Sequence, residues 1–197
     1  MLKDEIKNVI IKRDRESQYK QRNADIVNEY FGIDYIGKAT LDSVGTKHGM
    51  TRERVRQIVK SYFVDVVREK DLPSARIITE EFNSRLFWTV ADFENSISDD
   101  IGGKMNIVGV VNFLNLMGYV EDVNVYQNDL SGKAVVNEIC EDDIIMSKMN
   151  YNKVKPFYTQ LLRYPGILGL TTITSALNRV KKIPDNTIRN TLVELLK

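Results

Sequence analysis

The feature that most constrains this chain is the stretch from Thr40 to Phe63, TLDSVGTKHGMTRERVRQIVKSYF. It spells two helices joined by a tight turn. Thr40 can cap a short helix that carries Leu41 and Val44 inward. Gly45 and Gly49 allow close packing and a sharp turn where that helix ends. Thr51 can cap a second, longer helix, and Glu53 sits in its first turn, where the helix dipole favours an acid. Val55, Ile58, Val59 and Tyr62 recur at helical spacing and face a core.

Arg52, Glu53, Arg56 and Gln57 fall on the other side of that second helix, near its start. A helix-turn-helix presents this surface to the DNA major groove. The residue types suit base reading, since Arg pairs with guanine acceptors, Gln with adenine, and Glu accepts from the cytosine amino group. Thr51, Arg54, Lys60 and Thr40 flank the face and complete the candidate DNA-binding set. The single histidine, His48, lies in the turn and is read as structural.

TRERVRQI, residues 51–58, closely resembles the recognition-helix signature of region four of the primary bacterial sigma factors. The resemblance extends upstream to RNADIVNEYFGID, residues 22–34, which is similar to the helix preceding the family's helix-turn-helix. It covers about residues 20–65. It implies a helix-turn-helix domain that reads the upstream promoter hexamer and docks on a flap of bacterial RNA polymerase. By position, Arg52, Glu53 and Gln57 match the family's base readers, and Arg56 matches a contact at the same groove. No stretch resembles the family's promoter-melting domain, and the helix-turn-helix comes first here where the family places it last. That departure bears on whether a polymerase-docking role is retained.

Charge divides the rest of the chain. Residues 1–70 hold 15 Lys/Arg against 11 Asp/Glu, residues 71–143 hold 4 against 14, and residues 144–197 hold 9 against 2. Basic segments can meet phosphate, and an acidic one is repelled by it. The two ends are therefore the duplex-DNA candidates, and the acidic middle is expected to face solvent, another protein or a second copy of the chain. The expected fold is mainly α, in three modules: a helix-turn-helix domain over 1–70, an acidic winged-helix-like module with a β-hairpin over 74–143, and a basic helical module over 144–197.

In the first module, residues 2–18 are expected to be helical, with Leu2, Ile6, Val9, Ile10 and Arg13 forming a stripe that packs on the helix-turn-helix or ends in a basic arm. A helix over 21–31 carries Ile26, Val27, Tyr30 and Phe31 and closes at Gly32. A loop over 34–39 leads to Thr40, and the recognition helix is expected to run to about Glu69 before Asp71-Leu72-Pro73-Ser74 breaks the pattern. The middle module opens with a helix within Ser74–Phe87, with Ile77, Ile78 and Phe82 clustered. Ser84 or Thr89 can cap a following helix marked by Val90, Phe93 and Ile97, and Trp88 is expected in the core. Asn106 caps a helix carrying Ile107, Val110, Val111, Leu114 and Met117, which Gly118 ends. Tyr119–Tyr126 and Lys133–Ile139 read as the paired strands of a hairpin. Glu141-Asp142-Asp143 reads as a solvated helix start rather than a metal site.

The last module is expected to begin with one helix over 144–163 that includes Met149 among its inward residues. Thr171 or Thr172 starts a second helix with Ile173, Ala176, Leu177 and Val180, and Asp185 caps a third with Ile188, Leu192, Leu195 and Leu196. The spacing echoes the first module: Met50 to Val55 and Ile183 to Ile188 are the same interval, so Arg189 and Asn190 stand where Arg56 and Gln57 stand. The segment is either an ordinary helical hairpin or a second helix-turn-helix with Asn186, Arg189 and Asn190 as candidate contacts. A chain ending on Leu195-Leu196-Lys197 inside a helical pattern is expected to continue a bundle, dimerise there, or be part of something longer.

Other classes find little support. There is no run of 18 apolar residues to span a membrane, and the charged first 20 residues lack the apolar centre of a signal peptide. One cysteine, Cys140, cannot form an internal disulfide, so the cytoplasm is the expected compartment. Gly102-Gly103 is not followed by the Lys-Ser/Thr pair of a phosphate loop, and no nucleophile elbow or ligand cluster is apparent. The chain is thus read as a DNA-binding transcription factor without a cofactor or enzymatic activity. The alternative is a module that docks on RNA polymerase or another protein, or the DNA-targeting part of a phage, defence or mobile-element assembly.

Overall fold

The apolar spacing of the chain resolves into ten helices and three short strands among the described residues of a computed structural model. The structure describes residues 1–13, 17–33, 39–62, 72–101, 106–134, 138–162 and 173–196. The expected extension of the recognition helix to Glu69, most of the loop over 34–39, and the capping threonines 171 and 172 lie outside them.

Helix α1 (Leu2–Arg13) buries Leu2, Ile6 and Ile10 at four-residue spacing. Helix α2 (Lys20–Tyr30) turns back across it, burying Ala24, Ile26 and Val27, and ends at Gly32 with φ 64°. Helices α3 (Leu41–Lys47) and α4 (Arg52–Tyr62) follow, joined by a tight turn. The stripe on α1 is shorter than expected and does not include Arg13. That side chain is exposed, donates from Nη1 to the Ser61 carbonyl at 3.3 Å, and lies over the Tyr62 ring at 5.6 Å.

The middle of the chain runs α5 (Pro73–Asn83), β1 (Trp88–Thr89), α6 (Val90–Ile101), α7 (Ile107–Met117), β2 (Val123–Tyr126) and β3 (Ile144–Ser147). The strands form a small antiparallel sheet in the order β1-β3-β2, set among the helices of a mainly α fold. Asn106 caps α7 by accepting from the Val108 and Gly109 amides, and Gly118 closes it at φ 73°. Trp88 is buried, donating its indole N–H to the Phe82 carbonyl at 3.1 Å.

Several expectations are corrected here. β2 pairs along its length with Ile144–Ser147, which the sequence did not suggest as a strand. The expected strand over 133–139 meets β2 at its start, through the Tyr126–Lys133 bridge and the Ala134 amide donating to the Val125 carbonyl at 3.0 Å, and its residues 135–137 lie outside the described residues. Residues 144–147 therefore do not open a helix. Asp143 is not a solvated helix start: it is buried, and its carboxylate accepts from the Asn128 and Cys140 amides at 3.1 and 3.0 Å, holding the two sides of the β2–β3 connection together. Residues 119–122, read as the beginning of the first strand, are turn, with Asp122 in the left-handed region at φ 51°.

The sheet separates two cores. Val123, Val125 and Ile145 face the first, which includes the buried residues of α1, α2, α4, α5, α6 and α7. Tyr126, Ile144 and Met146 face the second. Successive strand residues point to opposite faces. A strand covered on both sides is thus apolar at every position, as Ile144-Ile145-Met146 is. The second core is completed by α8 (Lys148–Leu162), α9 (Ile173–Val180) and α10 (Asn186–Leu195), through Tyr151, Val154, Leu161, Val180, Ile188 and Leu192. The Tyr126 and Tyr151 rings stack across the joint with centroids 3.8 Å apart and planes 8° from parallel. Two side chains expected inward are largely outside: Ile77 on α5 is 46% exposed and Met149 on α8 is 62% exposed.

Long-range contacts fix α1 and α2 to α5 and α7. Leu72 at the N-cap of α5 has no side-chain oxygen to offer its first turn. The Glu5 carboxylate on α1 supplies it, accepting from the Ser74 amide at 3.1 Å and from Ser74 Oγ at 2.6 Å. At the start of α7, the Asn106 amide donates to the Gly32 carbonyl at 3.2 Å, and Gly109 lies so close to the Phe31 backbone that a Cβ there would clash with it. Phe31 and Phe113 meet edge to face across this seam.

Candidate nucleic-acid interface

The polar face of α4 is built by the turn that precedes it. Thr40 caps α3 in a reciprocal box: its Oγ1 accepts from the Ser43 amide at 3.0 Å, and Ser43 Oγ accepts from the Thr40 amide at 2.9 Å. Gly45 sits against the far side of the turn, where a Cβ would come within 2.7 Å of the Met50 carbonyl oxygen. Gly49 takes φ 64°, a conformation that side chains rarely adopt. Thr51 Oγ1 then accepts from the Arg54 amide at 3.2 Å and starts α4.

Glu29 of α2 clamps this turn. It accepts from Lys47 Nζ at 2.9 Å and meets His48 Nε2 at 2.9 Å, so His48 has the structural role expected of it. Burial acts to raise the Glu29 carboxyl, but the hydrogen bonds and charges of Lys47 and His48 outweigh it and hold the group below its ordinary value. At the other end of α4, the Tyr62 hydroxyl accepts from Asn23 Nδ2 at 2.9 Å.

Val55, Ile58, Val59 and Tyr62 are buried, and Arg52, Glu53, Arg54, Arg56, Gln57 and Lys60 are exposed. At about 100° per residue, Arg52, Arg56, Lys60, Glu53 and Gln57 span an arc of about 140° whose middle faces away from the buried four, with Arg52 at its edge about 20° from Val59. Arg54 lies on the flank, about 40° from Ile58. Thr51 and Thr40 are exposed at the two helix starts, with their side-chain oxygens engaged in capping.

The candidate readers also bond to one another. Arg56 donates from Nε and Nη2 to the two oxygens of Glu53 at 2.8 and 2.6 Å. Gln57 Nε2 donates to Glu53 Oε1 at 3.3 Å, and Arg54 Nη1 donates to Gln57 Oε1 at 3.4 Å. The Arg56 hydrogen bond lowers the Glu53 carboxyl, and the reciprocal contact raises the Arg56 guanidinium. Arg52 stands apart, with Nη1 3.8 Å from Asp42 Oδ2 on α3. Two Arg56 donors are thus committed to Glu53, whereas the ion pair of Arg52 to Asp42 is long and exposed.

The second candidate set lies on α10, in the other core. Asp185 accepts from the Thr187 and Ile188 amides at 2.8 and 3.1 Å. Asn186 and Asn190 are exposed and Arg189 is half-buried. The two sets are not brought together. Among the described residues, no group of three His, Cys, Asp or Glu could hold a metal ion, and no helix is long and apolar enough to cross a membrane. Sequence reasoning missed Glu29 and Asp42, the acids that hold the turn and Arg52. Both stand on neighbouring helices, and no periodicity within α4 refers to them.

The chain is similar, over a short stretch, to the RNA polymerase principal sigma factor HrdD of two Streptomyces species. The identity is 46% over 46 residues with the Streptomyces viridifaciens protein, covering 23% of this chain and 14% of that one. It is 41% over 51 residues with the Streptomyces griseus protein, covering 26% and 15%. The matched stretch is thus about a seventh of the length of these relatives. No known protein family's profile matches the chain, and no solved structure matches it.

Proposed function

We propose that the protein is a sequence-specific DNA-binding transcription factor that reads the major groove with α4 and acts by binding rather than by catalysis. The observation that carries this reading is the outward arc of Arg52, Glu53, Arg56 and Gln57 on a helix whose other side is buried and whose start is fixed by Thr51. The short similarity to principal sigma factors supports a role in transcription. Lys60, farther along the helix within the arc, and Arg54 on its flank meet phosphate, so affinity falls with salt.

The sigma-factor similarity also favours a second reading, in which the domain rides on bacterial RNA polymerase and has little DNA affinity of its own. Selection of bound sites from a random duplex pool at near-physiological salt separates the two. The first reading expects one motif for the parent, blurred by Arg56→Ala and by Gln57→Ala, with losses of about 1–3 kcal/mol per base contact. Absence of any motif, with parent and variants alike, defeats it. Polymerase capture without DNA would then support the second.

A further inference from the structure

We infer that the C-terminal helices α8–α10 form a second duplex-DNA-binding unit, so that one chain holds two duplex segments at once. This rests on the reading of α4 as a groove reader, because it follows from the correspondence between the two units. In each, a longer helix is followed by a short helix, a turn and a helix started by a side-chain cap: α2, α3 and α4 in one, α8, α9 and α10 in the other. The three helices pack on one another in both.

The last helices match position by position. Val55, Ile58 and Val59 are buried on α4, and Ile188, Thr191 and Leu192 are buried on α10 at the same intervals. That register sets Asn186 at the place of Glu53, Arg189 at Arg56 and Asn190 at Gln57. Val44 and Ala176 are the matching buried residues of the short helices. The residue types again suit base edges, since Asn pairs with adenine and Arg with guanine.

Charge selects the occupant. Residues 144–197 carry 9 Lys/Arg against 2 Asp/Glu, and Lys181 and Lys182 are exposed on the turn that leads into α10. The two acids are Asp185, whose carboxylate is engaged in the helix cap, and Glu194, at the far end of α10. The two units face different cores on opposite sides of the sheet, which favours two duplex segments over a single continuous groove.

The test uses the full chain and two duplexes drawn from its own selected sites, one immobilised and one labelled. The parent should retain the labelled duplex on the immobilised one. The pair Asn186→Asp/Asn190→Asp changes only exposed side chains and should cut that bridging roughly tenfold or more while single-duplex binding persists. Arg189→Ala should act in the same direction. The pair Arg52→Ala/Arg56→Ala should also abolish bridging, leaving weak, salt-sensitive binding through the C-terminal unit. No bridging by the parent, or bridging that survives the asparagine pair, as it would if two chains dimerised with one site each, overturns the proposal. If single-duplex binding ignores the arginine pair and is lost with the asparagine pair, the α4 reading fails and takes the two-duplex proposal with it.

Discussion

Gly109→Ala is the perturbation whose sign tests how the helix-turn-helix is held. Gly109 is the third residue of α7. By helix propensity alone, an alanine there would stabilise the protein by about 1 kcal/mol. The structure requires the opposite. A Cβ at 109 would overlap the Phe31 carbonyl, its oxygen closer still than its carbon at 2.6 Å, and both belong to the rigid end of α2 rather than to a flexible side chain. Relief means moving α7 away from the Phe31-Gly32 turn. That loosens the Asn106-to-Gly32 hydrogen bond and the Phe31–Phe113 contact and exposes part of Ile107 and Val110. Overpacking costs about 1–3 kcal/mol where side chains can adjust. With backbone on both sides, the net loss after the propensity gain should be at least about 2 kcal/mol. For a chain of this size that lowers the melting temperature by about 4–8 °C. Urea denaturation followed by circular dichroism gives the free energy directly. A variant as stable as the parent, or more stable, would show that α7 does not press on α2, and the fixed seam between the two parts would have to be abandoned.

Two further perturbations probe the scaffold of α4. Glu29→Gln removes the carboxylate that Lys47 and His48 meet and should cost on the order of 1 kcal/mol near neutral pH, since the group is only partly exposed. The Glu29 carboxyl is held below its ordinary value of 4.5. Its contribution is therefore complete above that value and is lost as the pH falls through the lower folded value, so the stability curves of parent and variant should converge in acid. Curves that stay parallel down through that range would rule the clamp out. Thr51→Ala removes the oxygen that accepts from the Arg54 amide and should cost about 1 kcal/mol in thermal denaturation, with a further loss of duplex affinity if the start of α4 frays.

The α3 and α4 helices and the turn between them were legible because their signals are local. Thr40, Thr51, Asn106 and Asp185 cap the helices they immediately precede. Gly49 and Gly118 mark chain reversals by their own backbone freedom. What could not be read depends on partners distant in sequence. The run Ile144-Ile145-Met146 lacks alternation because a core covers each face of β3, so it blends into the helical pattern that follows. Asp143 resembles a surface acid until the Asn128 and Cys140 amides are brought to it. Glu5 caps the first turn of α5 through Ser74, 69 residues later. Ile77 and Met149 fit apolar spacing on their helices yet face outward, because periodicity fixes a stripe but not its edges. Of the α4 site, the outward arc followed from spacing. The Glu53–Arg56 pairing and the link from Arg52 to Asp42 emerge only in three dimensions.

The central claim is that α4 reads base edges, and the most direct measurement removes an acceptor from the DNA rather than a donor from the protein. In the selected duplex, each guanine is replaced in turn by 7-deazaguanine, which lacks the N7 acceptor, and affinity is measured for the parent and for Arg52→Ala/Arg56→Ala. At one guanine or more, the parent should lose roughly 5–150-fold, corresponding to about 1–3 kcal/mol, and the arginine variant should lose nothing further there. Equal losses for both proteins at every guanine, or none for either, would mean that these arginines do not read the groove.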